Sequence, residues 1–316
     1  MNNHEPILLD CTLRDGGYHN GWDFSADLIQ EYLDAIASAG VDWVEIGFRM
    51  IASHDFFGGC AYSTDEFIGE FSVPDGLRIA VMINASDILS PEKELDSSIL
   101  ERLFRPAEES AVEMVRVACH AREFQTVLPA AKWLSAQGYL VGFNIMQIAD
   151  RSPEEIQELS KSASAFPIEV LYFADSLGNL TTERVAEIVR NIQSGWTGQI
   201  GIHTHDNMAR ALVNAAEAYR CGVGWIDGTI TGMGRGPGNA KTEILVLEFE
   251  EFRPSRNADI TSVLGLMKKH FLPLQSKFGW GMNPYYYLAG RYGVHPTFVQ
   301  EMMNDSRYSD EDILIS

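Results

Sequence analysis

Short runs of β-branched and other apolar residues alternate along most of the chain with stretches whose apolar positions recur at helical spacing. The runs predict strands at 7–11, 43–48, 78–83, 114–118, 139–145, 170–174, 199–203 and 225–230. Between them, amphipathic spacing predicts helices near 25–38, 64–71, 94–104, 124–136, 153–163, 182–192, 207–219 and 240–252. Ser25 stands as an N-cap and Gly40 as a stop for the first helix, while Ser152-Pro153-Glu154-Glu155 carries a cap followed by first-turn acids.

Eight strand–helix units within about 250 residues match the count and size of a (β/α)8 TIM barrel. A doubly wound open sheet shares the alternation. The polar residues favour the barrel: Arg14, Asp15, Asn84, Asn144, Ser176 and His203 are among the reactive side chains at the C-terminal ends of successive strands. Closure gathers such groups around one centre, whereas an open sheet spreads them along a line. After about Arg253 the alternation stops. Residues 254–316 hold helical patterns, an aromatic cluster (Trp280, Tyr285, Tyr286, Tyr287) and an acidic end. The expected organisation is therefore a catalytic barrel over 1–253 with a small, mainly helical C-terminal extension over 254–316.

Composition adds exclusions. An apolar fraction of 46% and a charged fraction of 22% are those of a globular protein. The 24 basic residues against 44 acidic ones give a formal charge of −20, which argues against nucleic-acid and anionic-membrane partners. No signal-peptide pattern opens the sequence and no apolar run reaches membrane-spanning length. Cys11, Cys60, Cys119 and Cys221 are scattered without Cys-x-x-Cys spacing, so reduced thiols in the cytoplasm are expected. Cys11 and Cys119 fall in strands and read as small buried residues.

The chemistry concentrates in three segments. His203 and His205 are spaced i, i+2, so one strand face can present both imidazoles to one ion. With Asp15 they make a set that leaves coordination positions open, as a catalytic metal requires. Arg14 offers a fork of donors to a carboxylate or a developing enolate oxygen, the plainer alternative being an ion pair on the barrel rim. The glycine-rich segment Gly232-Met233-Gly234-Arg235-Gly236-Pro237-Gly238-Asn239-Ala240 matches neither a Walker nor a dinucleotide fingerprint in spacing. It reads instead as a tight loop delivering Asn239 towards the metal.

Asp10-Cys11-Thr12-Leu13-Arg14-Asp15-Gly16, His203-Thr204-His205-Asp206-Asn207 and Gly234-Arg235-Gly236-Pro237-Gly238-Asn239-Ala240 resemble the three signatures of the DRE-TIM metallolyase (HMG-CoA lyase-like) superfamily. Length and the short tyrosine-rich appendage look most like its 4-hydroxy-2-oxovalerate aldolase branch. The resemblance implies a barrel holding one divalent cation, Mn²⁺ or Mg²⁺, with Asp15, His203 and His205 as ligands and Asn239 as a further one. It implies that Arg14 stabilises an enolate and that Ser176, in Asp175-Ser176-Leu177-Gly178, lies close to the bound 2-oxo acid. In that branch a histidine shortly after Arg-Asp-Gly acts as base and a C-terminal tyrosine assists. Here Tyr18 occupies that spacing and His19 follows it, so His19 serves through a one-residue shift or stands as a rim histidine; Tyr285 is the nearest match to the tyrosine.

The implied activity is cleavage or formation of a 4-hydroxy-2-oxo acid through a pyruvate enolate, with a 2-oxo acid and an aldehyde as small-molecule partners. No strand ends in a lysine, so no Schiff base is expected. A Claisen-type synthase or lyase acting on an acyl-CoA and a 2-oxo acid is the alternative within the superfamily, and a non-catalytic barrel subunit the alternative outside enzymology. The resemblance also implies an aldehyde dehydrogenase partner and a homo-oligomer.

Overall fold

A computed structural model of the chain describes residues 4–51, 55–256 and 258–315. Eight parallel strands close on themselves in sequence order: β1 (Ile7–Asp10), β2 (Trp43–Phe48), β3 (Arg78–Asn84), β4 (Val112–His120), β5 (Leu140–Met146), β6 (Val170–Asp175), β7 (Gln199–Thr204) and β8 (Trp225–Gly228). β1 closes the ring by pairing Ile7 with Trp225 through Asp10 with Gly228. The expected barrel is the observed fold, with helices between strands and a helical C-terminal part.

Strand alternation divides each strand between two environments. Leu8, Val44, Val115 and Ile226 point outward into the large core under the helices, whereas Leu9, Trp43, Met114 and Trp225 fill the floor of the barrel. Two residues further along the same inward face stand Cys11, Glu45, Arg116 and Asp227, all buried. The interior thus changes from apolar to charged in one layer.

Local rules explain where helices depart from the spacing. The stretch expected as one helix at 124–136 is two, Ala121–Val127 and Pro129–Ala136, because Pro129 has no N–H to continue the first. The helix expected from 207 begins at Ala211, where Asp206 accepts the Ala211 N–H at 3.0 Å and Ala209 takes a left-handed φ of 56°. The eighth strand ends early, at Gly228, and Ile230–Gly232 forms a tight turn with Thr231 at φ 55°.

Beyond the barrel, Val263, Leu266, Phe271 and Trp280 join the main core. Helices Pro284–Tyr292 and Pro296–Asn304 share a smaller cluster of Tyr286, Ala289 and Val299. They lie against the glycine-rich loop, where Gln300 Oε1 accepts the Gly236 N–H at 2.8 Å. Cys11, Cys60 and Cys119 are buried free thiols, and Cys221 is half-buried. Among the described residues no helix is long and apolar enough to cross a membrane.

Candidate active site

The first strand ends in a built turn. Buried Asp10 accepts the Thr12 N–H at 2.8 Å and also the hydroxyls of Thr12, Tyr32 and Thr242. Thr12 Oγ1 in turn accepts the Ile230 N–H at 2.8 Å, tying the end of β1 to the turn after β8. The short helix Thr12–Asp15 that follows carries Arg14 and Asp15 inward, both buried.

Asp15, His203 and His205 present ligand atoms that all lie within 4.8 Å of one another. His203 Nε2 is 3.7 Å from Asp15 Oδ2, and the two imidazole planes stand nearly perpendicular, at 85°. His205 Nδ1 is 2.7 Å from the Asp175 carbonyl and His203 Nδ1 is 3.0 Å from Asp227 Oδ2. Each contact fixes the proton on Nδ1 and leaves Nε2 as a lone-pair donor. Burial, reinforced by His203, pushes the His205 imidazole down to about 3 and keeps it neutral. Burial raises the Asp15 carboxyl, but the Arg14 guanidinium outweighs it and holds it well below the usual range.

Asn239, expected as a further ligand, also reaches the cluster. Asn239 donates its Nδ2 to Asp15 Oδ2, while its Oδ1 is buried without a protein partner. A Cβ at Gly234 would come to 2.8 Å from Asp15 Oδ2, so glycine there leaves the room this cluster needs. A carboxylate, two imidazoles and an orphaned amide oxygen make a donor set that fits a borderline or hard divalent cation.

Behind the cluster runs a buried chain of ion pairs. Arg14 Nη1 meets Asp15 Oδ1 at 2.7 Å and Arg14 Nε meets Glu45 Oε1 at 2.7 Å. Arg116, stacked 4.0 Å over the Tyr172 ring, bonds Asp227 Oδ2 at 2.7 Å and lies 3.3 Å from Glu45 Oε2. Arg14 Nη2 is buried and has no protein acceptor. Glu45, Arg116 and Asp227 carry no obvious motif; their signal is a charge two residues after an apolar floor residue in an otherwise apolar strand.

A cavity opens above the cluster, lined by Arg14, Asp15, His203, His205 and Ser176 together with Phe48, Met82, Asn84, Asn144 and Met146. Ser176 Oγ accepts the Gln147 N–H at 3.0 Å and keeps its own proton to donate. The rim is formed by Tyr18, Arg235, His295 and Pro296, with the Arg235 guanidinium 4.1 Å over the Tyr18 ring. His19 and Tyr285 are not among the lining residues described. His19 Nε2 is 2.8 Å from the Gly234 carbonyl, with the ring against Trp280 and Phe278. Tyr285 packs half-buried on the Tyr286–Ala289–Val299 cluster. His295 and Arg235 were not anticipated as site residues; His295 reaches the site only because the C-terminal helices fold back over the barrel mouth.

Residues 78–268 match the family pattern described as HMGL-like. The chain is 27% identical over 294 residues to 4-hydroxy-2-oxovalerate aldolase 4 of Rhodococcus opacus, covering 92% of this chain and 81% of that protein. It is 25% identical over 300 residues to oxaloacetate decarboxylase of Mycobacterium tuberculosis, covering 94% and 85%. Among solved structures, the N-terminal domain of a candidate aldolase from Bacteroides vulgatus superposes with a TM-score of 0.84 at 29% identity, over 98% of this chain and 99% of that one. Hydroxymethylglutaryl-CoA lyase from Pseudomonas aeruginosa shares the fold, with a TM-score of 0.70 at 17% identity over 87% and 95%.

Proposed function

The chain belongs to the HMGL-like family of metal-dependent lyases, and from that premise we propose that it is an aldolase that cleaves or forms a 4-hydroxy-2-oxo acid through a pyruvate enolate. The observation that carries this reading is the Asp15–His203–His205 cluster standing beside an arginine whose Nη2 is buried and unpaired. A divalent cation held by Asp15, His203 and His205, with Asn239 as a further donor, supplies Lewis-acid polarisation of the substrate's keto and carboxylate oxygens.

The chain's own residues do the rest. Arg14 is fixed by Asp15 and Glu45 on two of its nitrogens, so its third faces the oxygen on which negative charge develops, with no reorganisation at the moment of reaction. Ser176 orients the 2-oxo acid head by donating its hydroxyl proton. Phe48, Met82 and Met146 exclude water from the enolate. In cleavage the 4-hydroxyl loses its proton, the C3–C4 bond breaks, its electron pair passes to the enolate, and C3 takes up a proton. We assign the proton exchange at the 4-oxygen to Tyr18, which lines the cavity, and a positioning role to His19, which supports the Gly234 carbonyl of the loop carrying Arg235 and Asn239.

A second reading shares the enolate: decarboxylation of oxaloacetate, favoured by the relative of that name that matches 94% of this chain. One experiment addresses both. Metal content is measured on the purified protein, and pyruvate release from 4-hydroxy-2-oxo acids and from oxaloacetate is followed with and without chelator. The aldolase reading expects activity on the hydroxy acids that is lost on chelation and restored by Mn²⁺ or Mg²⁺. Full activity in metal-free protein overturns it, and release from oxaloacetate alone selects the second reading.

A further inference from the structure

The cavity above the metal ligands continues sideways. Met146, at the end of β5, lines it and also lines a second pocket of about 400 Å³ formed by His120, Ala121, Arg122, Gln147 and Arg151 at the ends of β4 and β5. His295 lines the first cavity together with Met146, on the side where that cavity meets the second pocket. Its Nδ1 accepts the Thr297 N–H at 3.3 Å, which leaves the ring proton on Nε2 as a donor.

This second pocket is basic in a chain of net charge −20, and its arginines are weakly engaged. Arg122 Nε lies 3.9 Å from Glu123 Oε1, and Arg151 Nη1 lies 3.5 Å from Glu155 Oε1. Each carboxylate also uses its other oxygen at a helix start: Glu123 Oε2 accepts the His120 N–H at 2.9 Å and Glu155 Oε2 the Ser152 N–H at 2.8 Å. Arg151 Nε is buried and has no protein acceptor. Glu155 and Glu158 appear only further out, in the groove that continues past Arg122 and Arg151.

The two pockets are also tied through the backbone. Gln147 sits at φ 56°, a left-handed conformation that a non-glycine residue rarely adopts, and its N–H is held by Ser176 Oγ at 3.0 Å. The residue expected to orient the 2-oxo acid head therefore also fixes the wall of the basic pocket.

We propose that this pocket is a subsite for an anionic group, a carboxylate or a phosphate, at the end of the substrate remote from its 2-oxo acid head. The inference rests on the aldolase reading for its placement along the substrate, and it makes the released aldehyde an anionic one. Arg122 and Arg151 supply fork-shaped donors to that group, and the Gln147 side chain, which also lines the pocket, supplies a neutral one.

The test has a binding arm and a catalytic arm. By calorimetry on Mn²⁺-loaded protein, 2-oxoglutarate and 2-oxoadipate are compared with 2-oxopentanoate and 2-oxohexanoate, which lack the distal carboxylate. The acids with the distal charge are expected to bind about tenfold tighter, as a charge-assisted hydrogen bond requires, and the Arg122→Gln, Arg151→Gln double variant is expected to bring the ratio close to one. In the catalytic arm, condensation of pyruvate with succinic semialdehyde is compared with butanal, and glyceraldehyde 3-phosphate with glyceraldehyde. A kcat/KM preference for the carboxylate or the phosphate member identifies which anion the pocket takes, and the preference should fall in the double variant through KM. Equal affinities of the charged and uncharged acids, or a ratio that survives the double substitution, overturn the subsite. A binding preference without any condensation keeps the subsite and overturns the aldolase reading instead.

Discussion

His203 Nδ1 lies 3.0 Å from Asp227 Oδ2, and that carboxylate is itself held at 2.7 Å by Arg116. The contact sets the tautomer and ring orientation of an imidazole in the proposed metal site, from below it. Asp227→Asn keeps the volume and removes the charge. Metal affinity should fall about 10–100-fold, as loss of such supporting contacts does. Calorimetric titration with Mn²⁺ on the apo-protein checks this, with circular dichroism confirming the fold; unchanged affinity shows that Asp227 does not tune the site.

Metal binding should stabilise the native barrel, because the ligands converge only in the folded state. At about a hundredfold excess over Kd the gain is roughly 2.7 kcal/mol, or several degrees in Tm for a chain of this size. Differential scanning fluorimetry with and without Mn²⁺ should show the rise in the native sequence and not in Asp15→Ala or His203→Ala.

The roles proposed for Tyr18 and His19 can be separated. Tyr18→Phe should lower kcat for C–C cleavage about 10²–10⁴-fold, the usual worth of a positioned proton carrier, with the metal still bound. His19→Asn should act more mildly and chiefly through metal affinity, by loosening the Gly234 loop. The reverse ranking in steady-state kinetics would return the base to His19.

Gly238 has φ 78°, and a Cβ there would overlap the Gly232 carbonyl oxygen. Gly238→Ala should therefore displace the adjacent Asn239 and weaken metal binding although no ligand is changed. The comparison is with Asn239→Ala: similar losses in Mn²⁺ titration support a loop whose function is delivery, and an unaffected Gly238→Ala protein argues against it.

Thiol chemistry gives a check on burial. Cys11, Cys60 and Cys119 are inaccessible, and burial raises each thiol well above its ordinary range. Native protein should titrate about one thiol with Ellman's reagent at pH 8, that of half-buried Cys221, and four after denaturation.

The barrel was legible in the sequence because eight apolar runs each carry a reactive residue at the same end, and parallel strands in a closed ring must bring those ends together. The convergence of Asp15, His203 and His205 was legible for the same reason, and the approach of Asn239 from the glycine-rich loop that carries it. The surroundings were less so. Gly16–His19 forms a 3₁₀ turn, in which successive side chains point about 120° apart; Tyr18 therefore faces the cavity while its neighbour His19 faces Trp280. Sequence spacing alone does not distinguish that turn from an α-helical one. His295 comes from the far end of the chain, and no local pattern announces a contact across the barrel mouth. Asp227 was not singled out in the sequence, although its position two residues after Trp225 in the eighth strand places it on the same inward face.

The buried ion pairs and the two contacts of His203 close into a circuit: from Asp15 to Arg14, Glu45, Arg116, Asp227, His203 and back to Asp15. It contains three carboxylates and two guanidiniums, with a neutral imidazole where a ligand needs its lone pair. The circuit alone therefore holds one surplus negative charge. A dication turns that into one surplus positive charge, and a single carboxylate on the incoming 2-oxo acid brings the centre to electroneutrality. A buried site balanced in this way has no place for a second anion, so any further charge on the substrate must be met outside it, at the mouth of the barrel.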